Sequence, residues 1–145
     1  MRLKLEIQPI PASTWGVSLA NRLKPKEWNE IRHKKYFDAN YTCEICGETK
    51  LPLHCHEVWV FDDKRRLQKL AKLECCCEMC HNVHHYGRSK MVYKPTYVKR
   101  LIVHWCTING RTPQQFALYE RQIFEKNKKR ADKFYQVKIG RRILV

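Results

Sequence analysis

No stretch of this chain approaches the about 20 consecutive apolar residues that a membrane-spanning helix needs, so an integral helical membrane protein is not expected. The N-terminal run MRLKLEIQPIPAS, residues 1–13, alternates polar and apolar side chains. It holds no continuous hydrophobic segment and does not read as a secretory signal. Internal repeats and low-complexity stretches are lacking too, and 145 residues allow one modest core. Acidic side chains are scarce: 14 Asp plus Glu stand against 29 Lys plus Arg, a formal net charge of +15. That surplus favours a polyanionic partner, nucleic acid before acidic lipid. Without a secretory signal, the eight cysteines point to metal ligation rather than disulfides, and the cytoplasm is the expected compartment.

Hydrophobic periodicity gives an α+β chain. LKLEI at residues 3–7 reads as a short strand ended by Pro9 and Pro11. PKEWNEIRHKKYFDAN reads as a helix opened by Pro25, with Trp28 and Ile31 as core candidates. A strand is expected from about Leu53 to Phe61, then a turn at DDK, then a return along RRLQKLAKLECC, where Leu67, Leu70 and Leu73 also fit a helix. EMCHNVHHYG reads as a short helix closed by Gly87. TYVKRLIVHWCTI is helical by the spacing of Val98, Leu101, Ile102 and Trp105, and NGRTP breaks it. The next helix takes Thr112 as N-cap and Pro113 as its first residue. FYQVKIGRRILV fits a terminal strand.

Two Cys-x-x-Cys pairs, Cys43/Cys46 and Cys77/Cys80, have the spacing of zinc knuckles. Four thiolates complete a closed tetrahedral site, so a structural Zn²⁺ is expected. Cys75 or Cys76 could replace Cys77, but Cys77 alone keeps the two-residue gap to Cys80. His81 and His85 stand four apart on the expected short helix, a spacing that turns both imidazoles to one face as a metal pair. His84 falls about 100° away and is expected to meet solvent or phosphate.

Taken together, CEIC, LHCHEVW and CCEMCH followed by NVHH, residues 43–85, resemble the HNH family of nucleases, built on a ββα-metal finger. The flanking WGVSLANRL and EWNEIR look like a bacterial and phage subfamily. The resemblance implies a DNA endonuclease in a bacterial or phage-infected cell, with His56 as general base and His81 and His85 as ligands of a catalytic divalent ion (magnesium, manganese, nickel or zinc). Cys55 falls where the family carries a third ligand, usually Asp or His; a thiolate there would favour zinc, and His54 is the other candidate. A second departure is the missing middle asparagine, since Asn82 follows the metal histidine.

The expected architecture is a single domain: an N-terminal arm (1–24), a zinc-stapled ββα core with its preceding helix (25–90) and a basic helical extension (91–145). Arg65, Arg66, Arg88 and Lys90 are expected to flank the site and hold DNA, as are Lys128, Lys129 and Arg130 on the extension, with Lys126, Lys133, Arg141 and Arg142 beside them. Such contacts position a backbone without reading its bases. The rival reading is a zinc-stapled nucleic-acid-binding module without catalysis. Monomer and homodimer are both open; a lone finger would nick one strand and a dimer would cut two.

Overall fold

The computed structural model describes residues 2–140 and 142–144. Its centre is a long antiparallel hairpin, β1 (Leu53–Asp62) and β2 (Leu67–Cys77), in register from Leu53 opposite Cys77 to Asp62 opposite Leu67. The β-branched and aromatic run CHEVWVF suits a pleated half-buried surface, and the ladder commits the Leu67–Leu73 stretch to strand. A bulge between Val58 and Trp59 shifts the register by one residue, which bends the ribbon and increases its twist.

The chain leaves β2 directly into helix α3 (Glu78–His84), then α4 (Tyr86–Val92), α5 (Pro95–Asn109) and α6 (Pro113–Ala131). Two short elements, the 3₁₀ turn Ala12–Thr14 and helix α1 (Leu19–Arg22), precede α2 (Pro25–Asp38) and the hairpin. The fold is α+β with a small mixed sheet.

Four expectations are corrected. LKLEI is not a strand: Leu5 and Ile7 are buried, and side chains replace a neighbouring strand. Asn109 Oδ1 accepts from the Lys4 and Leu5 N–H groups, its Nδ2 donates to the Leu5 carbonyl, and the Ile7 N–H donates to Tyr119 Oη. Trp28 and Ile31 are half-buried, and α2 has no fully buried residue: it packs on β1 and β2 and contributes nothing to the buried core cluster. Gly87 does not end the first helix; the break falls at His85 (φ −98°, ψ 38°), and Gly87 sits inside α4, where a Cβ would come within 3.2 Å of the Phe124 ring. The C-terminal segment forms two strands, not one: β3 (Gln136–Ile139) runs parallel to the start of β2, and β4 (Arg142–Leu144) returns antiparallel to it.

One core joins distant parts of the chain: Leu5 and Ile7 from the arm, Cys76, Val83 and Tyr86 around α3, and Leu101, Trp105 and Phe116 from α5 and α6. The 1–24 segment is therefore an integral wall. Trp105 packs edge-on to Phe116 at 5.1 Å and stacks on Tyr119 at 5.3 Å. Gly110, in the left-handed conformation at φ 61°, ends α5. Thr112 and Gln115 then exchange backbone bonds as a capping box for α6.

Candidate metal centres

Backbone turns build the first site. Gly47, at φ +80°, lets the loop after α2 fold back so that its N–H donates to the Cys43 carbonyl. The Cys46 and Cys80 N–H groups each point at a sulfur, Cys43 Sγ and Cys77 Sγ, at 3.5 Å. Cys77 also caps α3, which joins the sheet to the helix at a ligand. Cys43, Cys46, Cys77 and Cys80 bring their sulfurs within 4.8 Å of one another, with Cys46 Sγ and Cys77 Sγ 3.6 Å apart. A tetrahedral zinc centre with four sulfur ligands requires about 3.8 Å between sulfurs, so the donor set fits zinc with little adjustment. Hydrogen bonds from Cys77 and Cys80 hold the Cys43 thiol far below its ordinary range, and the hydrogen bond with Cys43 pushes the Cys77 thiol up to about 12. A cation bound among the four sulfurs would allow all of them to ionise. Cys77, not Cys75 or Cys76, completes the set. His104 Nε2, 3.2 Å from Cys80 Sγ, is an outer partner that the spacing does not announce.

The second cluster lies where β1 faces α3. His56, His81 and His85 each offer a ring nitrogen, and these lie within 4.8 Å of one another. His56 is 4% exposed. Burial, then the neighbouring His84, His85 and His81, holds it far below the usual imidazole range. Burial leads in the same direction for His81, down to about 2, and for His85, down to about 4. All three are neutral at pH 7, the form whose lone pair binds a metal or takes a proton.

Cys55 is not in this cluster. Alternation along β1 sends it to the opposite face, opposite Cys75 and among the charges of Glu57, Lys35 and Arg32, where burial pushes its thiol up to about 11. His54, on the His56 side, stacks on His81 at 4.4 Å, with Nε2 buried and unpartnered. His84 faces neither solvent nor phosphate: it is 2% exposed, with Nδ1 at 2.8 Å from the Glu6 carbonyl and Nε2 at 3.1 Å from Glu74 Oε1. Its ring stacks on His56 at 4.2 Å and 10°. Asn82 donates to Tyr97 Oη and is a helix-packing residue.

Three contributors escape sequence reasoning. Gln8 Oε1 lies 2.7 Å from His56 Nε2, across 48 positions, and no spacing rule connects them. Glu74, opposite His56 on β2, holds His84. Glu57 accepts from the Leu19 and Ala20 N–H groups at 2.6 and 3.3 Å. That bond explains why WGVSLANRL accompanies HEVW: the second stretch caps α1, which the first one contains.

The basic residues divide. Arg88 is exposed, and its charge bears on His54, His81 and His85. Arg65 and Arg66 do not flank the cluster; they sit in the hairpin turn, beyond Asp62, six residues from His56 and thus about 20 Å along the strand. Lys90 is tied to Glu120 at 2.7 Å and lies over the Tyr86 and Phe124 rings. Arg130 grips Asp63 and covers Phe61. Lys126, Lys128 and Lys129 are exposed at the far end of α6, and Lys133 is exposed just beyond it. Arg141 and the side chain of Arg142 lie outside the described residues. Among the described residues no helix is long and apolar enough to cross a membrane.

No family model matches this chain, and neither does any curated protein or solved structure with which it was compared.

Proposed function

We propose that the chain is a metal-dependent DNA endonuclease, with the hairpin and α3 acting as a ββα-metal finger and a four-cysteine zinc as its staple. The observation that carries this reading is the convergence of the nitrogens of buried His56 and half-buried His81 and His85 beside an exposed arginine. His81 and His85 are the ligand pair, projecting one turn apart from α3 and its end. A divalent ion held there would neutralise charge developing on a phosphate and on the departing 3′ oxygen. His56, kept neutral by burial, accepts a proton from water as the water oxygen attacks phosphorus and the bond to the 3′ oxygen breaks. Arg88, exposed and close enough for its charge to act on His81 and His85, would hold the scissile strand.

The same convergence favours a second reading, in which His56 is the third ligand in place of the excluded Cys55. Plasmid cleavage with magnesium, manganese, nickel or zinc, together with metal analysis, separates the two. A base predicts that His56→Ala keeps the second metal and loses about 10²–10⁴ in rate, whereas His81→Ala loses metal and turnover together. If His56→Ala empties the site, His56 is a ligand. A plasmid left intact under every metal, with DNA still bound, leaves a zinc-stapled binding module instead.

A further inference from the structure

The histidine cluster has no asparagine to orient it, yet His56 is not free to turn. Its ring lies flat against His84 at 4.2 Å and meets His81 and His85 edge-on at 5.5 and 5.1 Å. Its hydrogen-bond partner is the side chain of Gln8, with Oε1 2.7 Å from Nε2. That oxygen can only accept, so in this contact Nε2 would be the nitrogen that carries the proton.

The segment that carries Gln8 is held at three points. The Gln8 N–H donates to the His84 carbonyl at 2.9 Å. The N–H of Ile7 donates to Tyr119 Oη at 2.9 Å, and the Glu6 carbonyl lies 2.8 Å from His84 Nδ1. Residues 6–8 thus cross from α6 to the end of α3 as a strap, with Leu5 and Ile7 anchored in the core beneath it.

We infer that Gln8 is a positioning residue: from the N-terminal strap it locks His56 as the Nε2–H tautomer, so that the Nδ1 lone pair is the one His56 offers to the cluster. The consequence for chemistry rests on the proposed metal site; the tautomer does not, and it holds whether His56 serves as base or as ligand. An imidazole whose second nitrogen is fixed by a neighbour presents its lone pair without a rotational or tautomeric search, and removing such a partner typically lowers metal affinity or activity about 10–100-fold.

The test reads the tautomer first. Nitrogen-15 long-range correlation spectra of the full chain, with its cysteine-bound zinc and before any second metal is added, should show His56 protonated on Nε2. Gln8→Glu, which keeps an acceptor oxygen, should preserve that signature. Gln8→Leu should lose it, with tautomer exchange or a shift to Nδ1–H, while circular dichroism and zinc content stay unchanged. Cobalt titration monitored by visible absorption, and plasmid turnover, should then fall about 10–100-fold for Gln8→Leu and recover in large part for Gln8→Glu. An Nδ1–H signature in the unsubstituted chain overturns the inference. So does a Gln8→Leu chain whose tautomer, cobalt affinity and turnover all match the parent. If Gln8→Leu fails to fold, Gln8→Asn, which withdraws the oxygen by one methylene, takes its place. A chain that cuts no DNA but shows the Nε2–H signature, lost in Gln8→Leu, refutes the nuclease reading and leaves the positioning role standing.

Discussion

Arg130 and Asp63 meet through two parallel N–H···O bonds, Nε to Oδ1 at 2.6 Å and Nη2 to Oδ2 at 2.8 Å. Tyr135 Oη adds a third bond to the same carboxylate at 2.8 Å, and the guanidinium covers the Phe61 ring at 4.2 Å. The contact clamps the last turn of α6 onto the hairpin turn, 67 positions away. It uses as structure a cation that looks, in sequence, like part of a phosphate-binding run.

That clamp is acid-sensitive. The Arg130 hydrogen bonds hold the Asp63 carboxyl at about 2, below its ordinary 3.8. A depressed carboxyl stabilises the fold above its unfolded value, and the contribution is lost as pH falls from about 4 towards 2. Asp63 is nearly half exposed, so water screens the pair and Arg130→Ala should cost only about 1 kcal/mol. Urea denaturation at pH 7 and pH 2.5 checks this: the gap between parent and Asp63→Asn should shrink at the lower pH.

Zinc should be present at one tightly held ion per chain after gel filtration. Cys43→Ala should unfold or aggregate the protein, because the ion ties the knuckle loop to the junction of β2 and α3. Cys55→Ala should keep both fold and zinc, since Cys55 is not one of the four converging sulfurs. A Cys43→Ala chain that folds normally without zinc would contradict the assignment.

DNA affinity should fall steeply with salt, with a log–log slope of several released counterions. The basic residues should not contribute equally. Arg88→Ala should weaken binding and turnover, whereas Lys90→Ala should leave affinity close to that of the parent, because Lys90 is already paired with Glu120. Fluorescence anisotropy at three salt concentrations distinguishes them; an equal loss for both variants would remove Arg88 from its special position.

Asn109 stands in for a missing strand. Its amide meets two N–H groups and one carbonyl of residues 4 and 5. Asn109→Leu should destabilise by about 1–3 kcal/mol, the cost of leaving such groups unpaired. Amide exchange at Leu5 and Ile7 should accelerate more than at Val83, and cobalt affinity at the histidines should drop, because the strap carrying Gln8 loses an anchor.

Local geometry was legible in the sequence wherever the deciding contacts are local. Cys-x-x-Cys spacing places two sulfurs on one turn, so Cys43, Cys46, Cys77 and Cys80 could be named before any fold was known. A four-residue step on a helix puts His81 and His85 side by side, and Thr112 with Gln115 announces the start of α6. Alternation along a strand already says that Cys55 and His56 face opposite ways, and packing against α3 puts His56, not Cys55, beside His81 and His85. What the tertiary structure alone decided are the pairings across long loops. Gln8 reaches His56, Glu6 and Glu74 trap His84, and Lys90 and Arg130 are spent on Glu120 and Asp63. The physical reason is that periodicity assigns a side chain to a face and says nothing of what another segment brings to that face. A hydrogen bond or an ion pair depends on distances of a few tenths of an ångström between groups up to 117 positions apart.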